Sequence, residues 1–240
     1  MPATNVLFLP WLRQGLAARL TNADDTTAVS LRAASALTVT LGVTGTPADD
    51  PSAAVRVRGP GDVIGIDPRQ VVRTEPAPNS VDFEALDLAA IEFDNPDLPW
   101  MFTPAAADAQ GRLRPWICLV IVRRQEGVRL RPAAAEALPV LETPVDELPD
   151  LAESWAWAHA QVSWPSETAP DEAGIRTLLT TRPELSVSRL LCPRRLAAHT
   201  DYIACVVPTF EVGRLAGLNQ PLPTGDDLAP AWRSGTAVRQ

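Results

Sequence analysis

The chain has 240 residues, a net charge of −8, a pI near 4.8 and 46% hydrophobic residues. That length buries one good core or two modest ones, and the apolar content excludes an intrinsically disordered chain. The acidic balance excludes a nucleic-acid surface, which needs clustered positive charge to displace counterions from phosphates.

Residues 6–20 open with an apolar, strand-like stretch that breaks at Pro10 and continues as an amphipathic stripe with Leu12, Leu16 and Leu20 four apart. The period then changes to two: Leu37, Val39, Leu41 and Val43 alternate with Thr38, Thr40 and Gly42, which predicts a strand with one buried face. A Thr, Pro, Asp and Gly-rich loop over residues 45–52 ends it. Val55 and Val57 alternate with Arg56 and Arg58, and the turn Gly59-Pro60-Gly61-Asp62 leads into a second short strand over residues 63–66. After another turn at Asp67-Pro68, strands are predicted at residues 71–75 and 90–93, the latter stopped by Asp94-Asn95-Pro96. This spacing points to an antiparallel β architecture, not to alternating βαβ units.

Residues 116–122 (Trp-Ile-Cys-Leu-Val-Ile-Val) are apolar on both faces and predict a central strand covered on both sides. Gln125-Glu126-Gly127 reads as a tight turn, and the alternation over residues 128–131 predicts a hairpin with that strand. Residues 132–150, with four prolines and five carboxylates, read as irregular and mark a candidate lobe boundary within an otherwise single domain over residues 1–240. Trp155, Trp157 and His159 alternate with alanines; strand and helix both stand there, since alanine is the best helix former. Residues 170–181 predict a short helix with Ile175, Leu178 and Leu179 on one face. Strands are predicted at residues 186–191 and 201–208, and a helix at residues 211–218 with Val212, Leu215 and Ala216 inward. The last twenty residues, rich in Pro, Gly and Asp, are expected to be poorly ordered. The fold class is therefore mainly β, or β-dominated α+β, with an antiparallel sandwich-like core and a few short helices.

Every one of the 21 basic residues is arginine. No lysine is present to form a Schiff base or to serve a phosphate loop, so several enzyme classes fall away. The longest apolar runs fall far short of the ~20 residues of a membrane helix, so no membrane span is expected. The first nine residues carry neither a basic n-region nor a small-residue cleavage site, and the expected location is cytoplasmic. Cys118, Cys192 and Cys205 are widely spaced in apolar surroundings and read as buried, reduced thiols; no CxxC pair supports a zinc site. His159 and His199 lack the sequence partners of a triad, and no GxSxG elbow is present. Glu92 and Asp94 would share one side of a strand, but Asp94-Asn95-Pro96-Asp97 has turn composition and lacks the glycine and distal glutamate of a calcium loop. In Gly59-Pro60-Gly61, proline removes one of the N–H groups that a phosphate cradle needs. No catalytic residue, cofactor or metal is expected.

The seven tryptophans are the remaining unusual feature, most of them beside proline. They either fill a core poor in other aromatics, each able to bury ~150–250 Å², or present a surface. On the second reading Pro99, Trp100, Met101 and Phe102 form a rigid, partly exposed loop that anchors a protein partner, with Trp11 of the N-terminal stretch contributing.

Three blocks carry a resemblance: Asn95-Pro96-Asp97-Leu98-Pro99-Trp100-Met101-Phe102-Thr103-Pro104, then Gly111-Arg112-Leu113-Arg114-Pro115-Trp116-Ile117-Cys118-Leu119-Val120-Ile121-Val122, and Val207-Pro208-Thr209-Phe210-Glu211-Val212-Gly213-Arg214-Leu215-Ala216-Gly217-Leu218. Together they resemble a poorly characterised group of bacterial proteins associated with contractile injection systems, the phage-tail-like particles. The resemblance implies a non-enzymatic structural or accessory subunit whose partners are other protein subunits of a tail-like assembly. It supplies no catalytic residues. Members of that group continue beyond the region matching Trp232-Arg233-Ser234-Gly235, so a strand near residues 236–239 is expected to lack its partner. The alternative from the residues alone is a stand-alone carbohydrate- or peptide-binding module using exposed tryptophans; a third is a hydrolase using His159 with a carboxylate.

Overall fold

A computed structural model describes residues 5–13, 15, 35–40, 52–63, 65–84, 87–132, 138–164, 168, 170–221, 228–233 and 238–239. In chain order the strands are β1 (Asn5–Leu9), β2 (Ser35–Thr40), β3 (Ser52–Val57), β4 (Val71–Glu75), β5 (Ala90–Phe93), β6 (Ile117–Arg123), β7 (Arg129–Arg131), β8 (Val140–Thr143), β9 (Ala158–Trp164), β10 (Ser186–Leu191), β11 (Tyr202–Pro208) and β12 (Val238–Arg239). Among the described residues three short helices accompany them: α1 (Leu98–Met101), α2 (Glu172–Thr181) and α3 (Glu211–Gly217).

Several boundaries follow from local chemistry. β4 begins where a 3-10 turn over Pro68–Gln70 ends, and Asp67 caps that turn by accepting from the Arg69 N–H at 3.0 Å. α2 begins at Asp171, whose carboxylate accepts from the Gly174 N–H at 2.8 Å, and it turns Leu178 into the interior. The turn after β6 uses Gly127 at φ +83°, a left-handed conformation that L side chains rarely adopt.

The described strands form four antiparallel sheets. The largest runs β1-β9-β10-β5-β4; β6 pairs with β11, β8 is flanked by β7 and β12, and β2 pairs with β3. The inner face of the five-stranded sheet carries Ala158, Ala160 and Val162 from β9, Ser186, Ser188 and Leu190 from β10, and Phe93 from β5. The two buried serines are satisfied locally: Ser188 donates to the Asn95 carbonyl and Ser186 to the Pro183 carbonyl, each at 2.7 Å.

β6 is buried on both faces, as the unbroken apolar run predicts. Ile117, Leu119 and Ile121 join the core beneath the large sheet with Trp100, Trp116 and Phe210, whereas Cys118, Val120 and Val122 join a second core with Leu141, Trp157, Val207 and Trp232. The β6–β11 ladder is thus a middle layer between two cores. Full burial of each such aliphatic side chain contributes roughly 1.5–3 kcal/mol.

Other expectations are corrected. β6 has only β11 as its hydrogen-bonded neighbour among the described residues, so it is central in packing but not in a sheet. Its partner is not the following strand: Val120 faces Cys205, and β7 turns away to pair with β8. Residues 132–150 are not wholly irregular, because β8 and a 3-10 turn over Val145–Glu147 lie there. Residues 63, 65 and 66 form no strand, although Val63 and Ile66 pack against the core. Trp155 and Trp157 belong to a 3-10 segment (Leu151–Trp157), with His159 on the strand that follows. Near the C-terminus, Trp232 is buried, its indole N–H donating to the Pro149 carbonyl at 2.8 Å, and β12 has β8 as its partner. The amphipathic stripe from Leu12 to Leu20 and the loop over residues 45–52 fall mostly outside the described residues.

Candidate functional site

The expected anchor loop is turned inward. Trp100 is 0% exposed, Pro99 is buried and Phe102 is half-buried; only Met101, at 38%, reaches the surface. Phe102 meets Trp116 edge-on with ring centroids 5.1 Å apart, and the Trp116 indole N–H donates to the Leu98 carbonyl at 2.6 Å. The outer side of the loop is covered by the N-terminal segment of the same chain. Trp11 donates its indole N–H to the Gly111 carbonyl at 2.7 Å, and Arg13 Nε donates to Asp97 Oδ2 at 2.6 Å. Gly15 lies so close that a Cβ there would stand 2.8 Å from the carbonyl oxygens of both Trp100 and Met101. The structure therefore lays the N-terminal segment over the 97–103 turn through Arg13 and Gly15, with Trp11 anchored beside it on the Gly111 carbonyl. Sterically, Pro99 and Trp100 cannot serve as exposed anchors.

Four of the seven tryptophans belong to the two cores. Trp100, Trp116, Trp157 and Trp232 are buried, and Trp11, Trp155 and Trp164 are half-buried. No exposed aromatic platform of the kind a carbohydrate binder uses is made from them.

The outer face of the five-stranded sheet holds a cluster that the sequence did not reveal. Strand register places Arg189 of β10 between Glu92 of β5 and His159 of β9. Arg189 donates to Glu92 through Nε at 2.8 Å and also through Nη2, to Gln161 Oε1 at 3.0 Å, and lies 3.4 Å from His159 Nε2 through Nη1. An arginine can only donate, so Nε2 accepts and the ring proton sits on Nδ1. Burial and the adjacent guanidinium both hold the His159 pKa below its ordinary value, partly offset by Glu92. Phe8 of β1 closes this end of the cluster, edge-on to His159 at 5.3 Å. Toward β4 the face opens into a polar groove of about 340 Å³, whose lining includes Arg73, Glu75, Asp87 and Glu92. Each arginine there is engaged, Arg73 by Glu75 at 2.5 Å and Arg189 by Glu92. Such a saturated arrangement fixes side chains in place; it offers no activated nucleophile.

Asp94 lies just beyond the end of β5, and its N–H donates to the Gln70 carbonyl at 2.9 Å. Asn95 accepts from the Asp97 N–H at 2.9 Å, an Asx turn, and Asp97 is held by Arg13. Among the described residues no three metal-ligating side chains converge. Gly59 donates its N–H to Asp62 at 3.0 Å, closing the Gly59-Pro60-Gly61-Asp62 turn on itself. His199 is exposed in a turn at φ +53°. All three cysteines are free thiols; burial raises the pKa of Cys118 and Cys192 and pushes Cys205 up to about 11, which disfavours the reactive thiolate.

The exposed apolar groups are the other feature of this face. Val6, at 42%, and Phe8, at 60%, project from β1 to the same side as His159 and Gln161. β1 is the edge of its sheet: among the described residues no strand pairs with its outer side. No protein-family model, curated protein or solved structure matches this chain. Among the described residues no helix is long and apolar enough to cross a membrane.

Proposed function

We propose that the chain is a non-enzymatic structural or accessory subunit of a phage-tail-like contractile particle, assembled in the cytoplasm and acting through protein–protein contacts. The observation that carries the protein–protein reading is the apolar strand β1, which no other described strand pairs on its outer side and which exposes Val6 and Phe8. Strand addition at such an edge is a recurrent mode of recognition. The particle itself rests on the resemblance carried by residues 95–104, 111–122 and 207–218. The engagement of His159 by Arg189 and the raised thiol pKa values support a non-catalytic role. With Pro99 and Trp100 buried, the contact surface shifts from that loop to the N-terminal strand.

The test is an affinity pull-down of the tagged protein from its native host at moderate salt, with mass spectrometry and negative-stain imaging. Recovery of sheath and tube proteins, with tail-like particles on the grid, is the expected result. A protein that emerges without companions would overturn the particle assignment.

A further inference from the structure

β11, α3, Ile66 and residues 138–141 surround a cavity of about 400 Å³, a volume within the ~300–1,000 Å³ range of small-molecule sites. Of its lining, Ile117, Leu141 and Val207 are buried whereas Leu130 of β7 and Leu138 are exposed, so the hollow runs from the core to the surface. Every lining residue other than Cys205 and Arg214 is apolar, and the indole N–H of Trp116 in its wall is already given to the Leu98 carbonyl.

α3 leaves room on one side of this cavity. Glycine is among the poorest helix formers, and α3 places two of them one turn apart on the wall. At Gly213 the missing Cβ is explained by close packing, since it would stand 3.0 Å from Pro208 Cβ. At Gly217 no atom of the described residues comes within 4 Å of the Cβ position, so the space there stays open. The wall also offers no net charge. Arg214 is held in a fork by both oxygens of Glu211, through Nε at 2.7 Å and Nη2 at 2.5 Å, and burial keeps the Cys205 thiol protonated.

We propose that this cavity binds one small, uncharged apolar molecule, an aromatic or short-chain aliphatic compound, between β11, α3 and residues 138–141. An ordered water needs two to four polar partners, which this lining supplies poorly, and apolar cavities of this kind take up hydrocarbon ligands. A charged ligand would lose its hydration with no free counter-charge to meet it. The inference goes beyond the particle reading and does not rest on it.

The test titrates the purified full chain with phenylnaphthylamine, a neutral dye that brightens in apolar surroundings, and with anilinonaphthalene sulfonate, the same ring system carrying a sulfonate. Saturable, one-to-one binding of the neutral dye is expected, with the sulfonate at least about tenfold weaker. Gly217→Leu puts a side chain into the open space and improves helix propensity, so it should keep the fold and weaken the neutral dye at least about tenfold. Leu130→Asp sets a carboxylate at the exposed end and should weaken it about threefold or more. Phe8→Asp, which removes the exposed aromatic group of β1, should leave it unchanged. Circular dichroism and thermal melts verify each fold; if Gly217→Leu does not fold, Leu130→Asp carries the comparison. Absence of saturable binding, equal affinity for the sulfonate, or binding that the folded cavity variants leave intact overturns the inference. None of these readings involves a protein partner, so they are separate from the outcome of the pull-down.

Discussion

Glu147 ties the two cores together, and its removal is expected to be among the costliest single changes in the chain. Its side chain is 8% exposed and lies where the end of β6, the 3-10 turn over Val145–Glu147 and Arg194 meet. It accepts from the Arg123 N–H at 2.9 Å, from Gln125 Nε2 at 3.2 Å and from the Arg194 guanidinium, which also donates to the Glu147 carbonyl at 3.0 Å. Truncation by Glu147→Ala strands a largely buried arginine and a backbone N–H. Breaking a buried pair costs about 3–5 kcal/mol, and Arg194 keeps 20% exposure, so the lower end, about 3 kcal/mol, is expected. At the size of this chain that lowers Tm by about 6–12 °C. Glu147→Gln keeps one accepting oxygen but loses the charge and turns the other acceptor into an NH2 donor, for about 1–2 kcal/mol. Burial raises the Glu147 pKa, but the Arg123 N–H and the Arg194 guanidinium outweigh it and hold the group below its ordinary 4.5. A depressed folded pKa means that the stabilisation is complete above about 4.5 and is lost as pH falls through the folded value. The gap between wild type and Glu147→Gln should therefore narrow below about pH 4.5. Urea unfolding across pH 3–7 measures both quantities. A Glu147→Ala variant within about 1 kcal/mol of wild type at pH 7 would refute the network as a stabilising element.

Gly15→Val should cost about 1–3 kcal/mol or more, because its Cβ would meet two backbone carbonyls that cannot rotate away; an unchanged melting temperature would show that the N-terminal segment does not hold the 99–102 loop. His159 carries a pKa below its ordinary 6.5, so its deprotonated form is favoured by folding and stability is lost as pH falls below about 6.5. His159→Gln should flatten the dependence of unfolding free energy on pH between about 7 and 5, and an NMR titration of the imidazole should give a value below 6.5; identical pH slopes in variant and wild type would count against this.

The sequence by itself determined the strands whose ends carry their own punctuation. β4, β5 and β10 lie at the residues where strands are expected, β4 after the turn at Asp67-Pro68 and β5 stopped by Asp94-Asn95-Pro96. The double burial of β6 was equally legible, because seven consecutive apolar residues leave no polar side to face water. What only the tertiary structure decided was which distant segments meet. β6 pairs with a strand near residue 205, far along the chain, whereas turn chemistry pointed to its immediate successor. The Arg189, Glu92 and His159 cluster exists only because β9, β10 and β5 lie side by side, an order that no local pattern encodes. The 97–103 segment shows the same limit: an apolar, proline-stiffened turn has one composition whether it is bare or covered, and its cover is Arg13 and Gly15, supplied from more than eighty residues away through one ion pair and one missing Cβ.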